Sequence, residues 1–311
     1  MMGRLSVAAT ALFIAVSAPG AHSAERVFPD IAETAKADPQ TVDFFRAYFT
    51  AKSQHDVNAT MSFFSPQLLT YTDAILGWPL NDFNALKAVF AQYMPKWGKG
   101  KSYPFRIIGG PDSAVVAFID TPELFGGEIR LLGAVDFKDG KIIRWADYWD
   151  STGFPADVYN AVRTPSDKFP TEFREKEISG NAAARIIDVA TDVQKALTSS
   201  DGADIGKHLS ADVIYEDFAL RTQLLGKDAT TRYLQRIQSE APFAKGSQLM
   251  HIVGGEKGGG FEWRSADGKI RGITALELDD QGLVSRITTT YDGRLISAPT
   301  HRELVRLSAE E

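Results

Sequence analysis

No cysteine occurs among the 311 residues, which removes thiol catalysis, thiolate metal sites, disulfide staples and a lipid-bearing N-terminal cysteine together. Histidine is scarce too: the five present are scattered without His-x-x-x-His or similar spacing, so no metal centre is expected. Lys and Arg form no cluster and the net charge is -6, against the basic footprint that nucleic acid demands. The apolar run from Leu5 to Val16 is too short to span a bilayer comfortably. It follows Arg4 and leads into the small residues ending at Ala21-His22-Ser23-Ala24, the pattern of an export signal over residues 1–24. A periplasmic or secreted protein starting near Ala24 or Glu25, with no membrane anchor, is the expectation.

What remains is the composition of a soluble globular chain, 44% hydrophobic and 24% charged, long enough for about two domains. The chain repeats itself once. Val42, Phe45 and Phe49 recur at helical spacing in the first half, as do Ile186, Ile187, Ala190 and Val193 in the second. A strand follows in each, Leu68 to Asp73 and Val213 to Asp217. A second amphipathic helix comes next, carrying Phe83, Leu86, Phe90 and Tyr93, then Tyr233, Leu234 and Ile237. The run Phe105 to Gly110 is echoed by Met250 to Gly255, and three more strand-like runs close each half, joined by turns rich in Gly, Asp and Lys. This order argues for α+β: in each half a curved, mostly antiparallel sheet covered by helices, forming a cone with an open mouth. The domains are expected over 25–163 and 181–311, with 164–180, rich in Pro, Lys and Glu, as a linker.

The closing strand of the first half, Arg144 to Asp150, holds the most pointed chemistry. Side chains alternate along a strand, so Trp145, Asp147 and Trp149 share one face. A carboxylate between two indoles is either a solvated Asp on an open face or one in a greasy concavity. The same parity puts Tyr71 with Asp73, and Phe118 with Asp120, on faces that can meet it. The expected site is therefore three carboxylates and a phenol within an apolar wall of Phe118, Trp145, Trp149 and Trp78. Burial and like-charge repulsion must raise at least one carboxylate pKa there, and acids driven apart in pKa supply a base and a proton donor at neutral pH.

At these residues the chain resembles a known family. The first half, over roughly Thr41 to Phe154, is similar to the NTF2-like superfamily, also called SnoaL-like or ketosteroid-isomerase-like, with weaker similarity over Asn181 to Ile296. Within it, Gly140-Lys141-Ile142 followed by Trp145-Ala146-Asp147-Tyr148-Trp149-Asp150 looks like the closing strand of the limonene-1,2-epoxide hydrolase family. The resemblance implies Asp147 as the base that activates water, Asp120 as the acid that protonates the epoxide oxygen, and Tyr71 as a holder of the water. Asp73 stands in place of the family's Asn, and Phe118 in place of its Arg that bridges the two acids. In the ketosteroid-isomerase branch the proton-abstracting base falls at Asp73 instead.

The expected function is thus a cofactor-independent enzyme acting by paired aspartates on a small hydrophobic oxygenated molecule. Epoxide hydrolysis stands beside isomerisation or cyclisation. The alternative is a non-catalytic protein that holds a lipid-like or aromatic molecule in the same cone. In the second half Thr289 occupies the place of Asp147, and Trp263 looks like the nearest counterpart of Asp120. That half reads as a degenerate copy completing an internal pseudo-dimer, or as a second binding cavity with Glu262 or Arg264 near its rim; association with another chain as a homodimer is also open. Gly258-Gly259-Gly260 reads as a flexible turn.

Overall fold

The computed structural model describes residues 26–178, 180–199 and 204–309; the expected export signal lies outside them. The first half runs α1 (Pro39–Ser53), α2 (Val57–Met61), β1 (Thr70–Asp73), β2 (Trp78–Leu80), α3 (Phe83–Tyr93), β3 (Ser102–Gly109), β4 (Ser113–Asp120), α4 (Pro122–Phe125), β5 (Ile129–Lys138), β6 (Lys141–Trp149) and α5 (Ala156–Val162). The second half repeats the plan with α6 (Ala184–Thr198), β7 (Leu209–Asp217), β8 (Thr222–Leu225), α7 (Lys227–Arg236), β9 (Gln248–Gly255), β10 (Gly258–Arg264), β11 (Arg271–Leu278), β12 (Val284–Tyr291) and α8 (Ala298–Ser308). The sheets have matching strand orders, β2-β1-β6-β5-β4-β3 and β8-β7-β12-β11-β10-β9. Each is antiparallel but for one parallel pair, β1 with β6 and β7 with β12. The α+β architecture and its duplication are those read from the repeat.

Local chemistry explains why the first helix begins where it does. Asp38 caps α1 by accepting from the Gln40 N–H, and Pro39 occupies the first helical position, where its missing donor costs nothing. The apolar stripe of α1 then lies across the inner face of the sheet. Trp145 is enclosed there by Phe45 (6.1 Å between ring centroids), Tyr48 (5.3 Å) and Phe118 (6.0 Å).

β6 is buried on both faces. Its inner residues look into the cone, while Arg144 and Tyr148 look outward onto the second sheet. Arg144 forms a two-pronged ion pair with Glu262 (2.7 and 2.9 Å), and the Tyr148 hydroxyl donates to the same carboxylate at 2.6 Å. Arg144 and Glu262 are both fully buried. Glu262 therefore belongs to the seam between the halves and not to a cavity rim, while Arg264 reaches Gln248. His251 contacts Asp136 at 2.8 Å across the same seam. The segment 164–178 runs alongside: Phe173 is buried, its carbonyl accepts from Arg144, and Glu175 pairs with Arg271 at 2.7 Å.

The glycine run is corrected by the structure. Gly258, Gly259 and Gly260 are not a turn but the first half of β10, buried where the two sheets meet. Glycine is a poor strand former, yet here the absent side chains admit both the neighbouring strand and the first sheet. A methyl group on residue 258 would strike the Leu276 carbonyl oxygen of its own sheet and lie 2.8 Å from Ile108 Cγ2, and one on residue 260 would lie 2.7 Å from the Thr274 carbonyl oxygen and 3.2 Å from Val115 Cγ2. Gly258 also has φ +149, so a side chain would be strained as well as crowded. Gly258→Ala is expected to cost about 1–3 kcal/mol, read as a lower urea midpoint. An unchanged midpoint would show that neither the strand nor the seam is tight at this point.

Inside the second cone, Tyr215 packs on Tyr233 (5.4 Å), and Trp263 on Phe243 and Tyr291 (5.8 Å each). Tyr215 and Tyr291 stand where the first cone has Tyr71 and Trp149. Strand register also corrects one correspondence. Phe118 pairs with Leu131 and Leu131 with Trp149, while Trp263 pairs with Gly272 and Gly272 with Tyr291. Trp263 is thus the counterpart of Phe118, and Ser265 stands where Asp120 does. Thr289 does occupy the Asp147 position, since it pairs with Asp217 as Asp147 pairs with Asp73.

Candidate active site

A cavity of about 250 Å³ opens into the first cone. Tyr71, Asp73, Asp120, Asp147, Trp78 and Trp149 all line it, as parity along three strands implied. The remaining two expected wall residues, Trp145 and Phe118, are fully buried behind the lining. Trp145 stacks on the Tyr71 ring (5.7 Å, 17°) and donates its indole N–H to Asp147 Oδ1 at 2.5 Å. It holds the carboxylate and does not face a ligand. Leu76, Leu86, Phe90, Ile129 and Leu131 complete much of the apolar lining.

Asp147 is at the heart of the site. Its side chain is buried, and its second oxygen, Oδ2, accepts from the Tyr71 hydroxyl at 2.8 Å. Burial raises its pKa from 3.8 to about 7; the Lys52 charge and the Trp145 and Tyr71 hydrogen bonds oppose that rise, and the Asp73 charge adds to it. Burial together with the Asp147 charge holds the Tyr71 phenol well above its ordinary value, so it stays a proton donor. Asp73 turns the chain after β1: its carboxylate accepts from the Ile75 and Leu76 N–H groups (3.0 and 2.8 Å) and from the Trp149 indole (3.1 Å). Burial still raises it to about 6.

Sequence reasoning missed Lys52. It projects from the last turn of α1 and is 96% buried, 4% exposed. Its Nζ lies 3.8 Å from Asp120 Oδ1 and 4.9 Å from the centre of the Phe118 ring. The phenyl ring standing where the resemblance expects an arginine therefore has a cation above it, brought by a different element. A signal was present: Phe45, Phe49 and Lys52 follow the i, i+4, i+7 spacing of one helix face, which puts a lysine on the buried stripe.

The outer wall is partly held by the second half. Tyr159, on α5, lines the cavity and donates its hydroxyl to Asp292. Asp292 also accepts from Ser151 Oγ at 2.7 Å, and Arg294 grips the Ser151 and Phe154 carbonyls. At the mouth, Phe125, Val158 and Val162 remain 42%, 47% and 40% exposed. Among the described residues no group of His, Cys, Asp and Glu is arranged to hold a metal ion.

No protein-family model matches the chain, and no curated protein does. Solved structures align with about one half at a time. An NTF2-like protein of unknown function from Cytophaga hutchinsonii is 13% identical over 35% of this chain and 89% of its own, with a TM-score of 0.30. A SnoaL-like protein of unknown function from Burkholderia thailandensis is 15% identical over 35% and 97%, at 0.32. A protein provisionally described as a ketosteroid isomerase, from Kribbella flavida, is 18% identical over 45% and 89%, at 0.32. By the matching strand order and helix placement of its own two sheets, the chain is a tandem pair of α+β units.

Proposed function

We propose that the first unit is a cofactor-independent enzyme that moves protons on a small apolar, oxygenated molecule, with Asp147 as general base. The observation that carries this is a buried carboxylate with a pKa of about 7, held by Tyr71 and Trp145 beside an apolar cavity. A base is most effective when its pKa lies near the working pH. Its two hydrogen bonds fix the carboxylate direction, so little reorganisation is needed when charge moves. Isomerisation or cyclisation by proton transfer fits this arrangement with Asp147 alone as base. Its place of action, given residues 1–24, is the periplasm or the exterior.

A second reading, epoxide hydrolysis, is favoured by Lys52. The cation beside Asp120, and felt by Asp147, stands in for the bridging arginine that the resemblance expects at Phe118. In that reading Asp147 activates water, and Asp120 with Lys52 protonates the opening oxygen.

A panel of epoxides and enolisable ketones separates the readings, scored for diol against isotope exchange or double-bond shift. For either class, kcat/KM is expected to rise with pH and level off above about 7, as Asp147 loses its proton. A rate that falls across that range would remove Asp147 from the role of base. Tight binding with no turnover of any panel member would leave a binding protein.

A further inference from the structure

Lys52 does more than balance Asp120. An ammonium carries three donors, yet no group among the described residues accepts a hydrogen bond from Nζ. Its nearest carboxylate oxygen, on Asp120, is 3.8 Å away, beyond hydrogen-bond length. The side chain is 5% exposed, lies between the Phe49 and Phe118 rings (5.6 and 4.9 Å) and lines the cavity. Leaving a buried cation's donors unmade is costly, so the arrangement suits a ligand oxygen. A second buried donor on the same lining is unclaimed. Of the five tryptophans, Trp78, Trp145, Trp149 and Trp263 each donate to a protein oxygen, and only Trp97 lacks an acceptor among the described residues.

We infer that Lys52 is a catalytic residue that receives the substrate's oxygen, and that the substrate is an apolar carbonyl compound whose oxygen becomes anionic during reaction. This rests on the reading of Asp147 as base. Asp147 takes a proton from the carbon beside the carbonyl. The C–H electron pair forms the new C=C bond, and the carbonyl π pair moves to oxygen. The negative charge thus passes from the Asp147 carboxylate to the substrate oxygen, and Lys52 stabilises it there. Where the substrate carries a C=C bond beyond the deprotonated carbon, return of the proton to the far end of the resulting dienolate completes an isomerisation without an oxidant, a reductant or a co-reactant. A fixed cation in a water-poor site acts on such a developing charge far more strongly than it would in water.

The test uses 4-nitrophenol, whose phenolate imitates an enolate and absorbs apart from the phenol, with nitrobenzene as the matched ring lacking the hydroxyl. Wild-type protein should bind 4-nitrophenol as phenolate and more tightly than nitrobenzene. Lys52→Met should weaken 4-nitrophenol at least tenfold and lose the phenolate band while leaving nitrobenzene unchanged, and Lys52→Arg should keep most of both. Because Lys52→Met strands the Asp120 charge, the pair Lys52→Met with Asp120→Asn is measured beside it, and the same loss is expected. Equal weakening of both probes, unchanged phenolate binding, or a wild type that does not prefer 4-nitrophenol would each overturn the inference. Failure of Asp147 as base shows separately: Asp147→Asn would leave turnover intact while phenolate binding still followed Lys52.

Discussion

Asp147→Asn is expected to reduce turnover by about 10²–10⁴-fold, the usual contribution of a positioned general base, while the protein still binds nitrobenzene. The amide is nearly the same shape but takes no proton. Its effect on stability distinguishes removal of a base from damage to the fold. Asp73, Asp147 and Asp217 are raised to about 6, 7 and 7, in each case chiefly by burial. A carboxylate whose folded pKa lies above its unfolded value binds its proton more tightly in the fold. Stability therefore falls as pH rises from about 4 to about 7, with the full loss above that range. The wild type should melt higher at pH 5 than at pH 8, and Asp147→Asn should show a smaller difference between the two. A variant melting far lower at both would mean that its lost turnover reports unfolding.

The second large effect is expected at the seam. Arg144→Met leaves Glu262 buried without its partner and removes a charge 3.7 Å from Asp136, and should cost about 3–5 kcal/mol. Replacing both partners, Arg144→Met with Glu262→Leu, removes the stranded charge along with its mate. The double variant should recover much of the loss, because a desolvated pair gains little over apolar packing. A double-mutant cycle by urea denaturation reads the coupling directly. Additive losses would show that the pair, despite its geometry, acts as two independent residues.

The repeat, the succession of elements along each half and the inner face of β6 were legible because hydrophobic periodicity and turn residues report local structure. Tyr71, Asp73, Asp120 and Asp147 came together because strand parity is a local rule with a long reach. What periodicity does not carry is which strand pairs with which residue for residue, so Trp263 was set against Asp120 when register sets it against Phe118. Nor does it say what covers an outer face. Arg144 and Tyr148 alternate as solvated residues would, and only the partner sheet makes them interior. The glycine run misled for a related reason: what crowds it is the neighbouring strand backbone and, from the other half, Ile108 and Val115. Lys52 shares the α1 stripe with Phe45 and Phe49, but a helical stripe does not say which strand residue its charge will meet.

Asp292 gives the duplication a meaning that the repeat alone does not. By gripping Tyr159 and Ser151 it ties the cavity's outer wall to the far copy. A gene split between the copies would thus change the pocket without altering any residue that lines it. The second copy thereby frames the doorway to the first copy's cavity, and the two halves are one working unit at that wall.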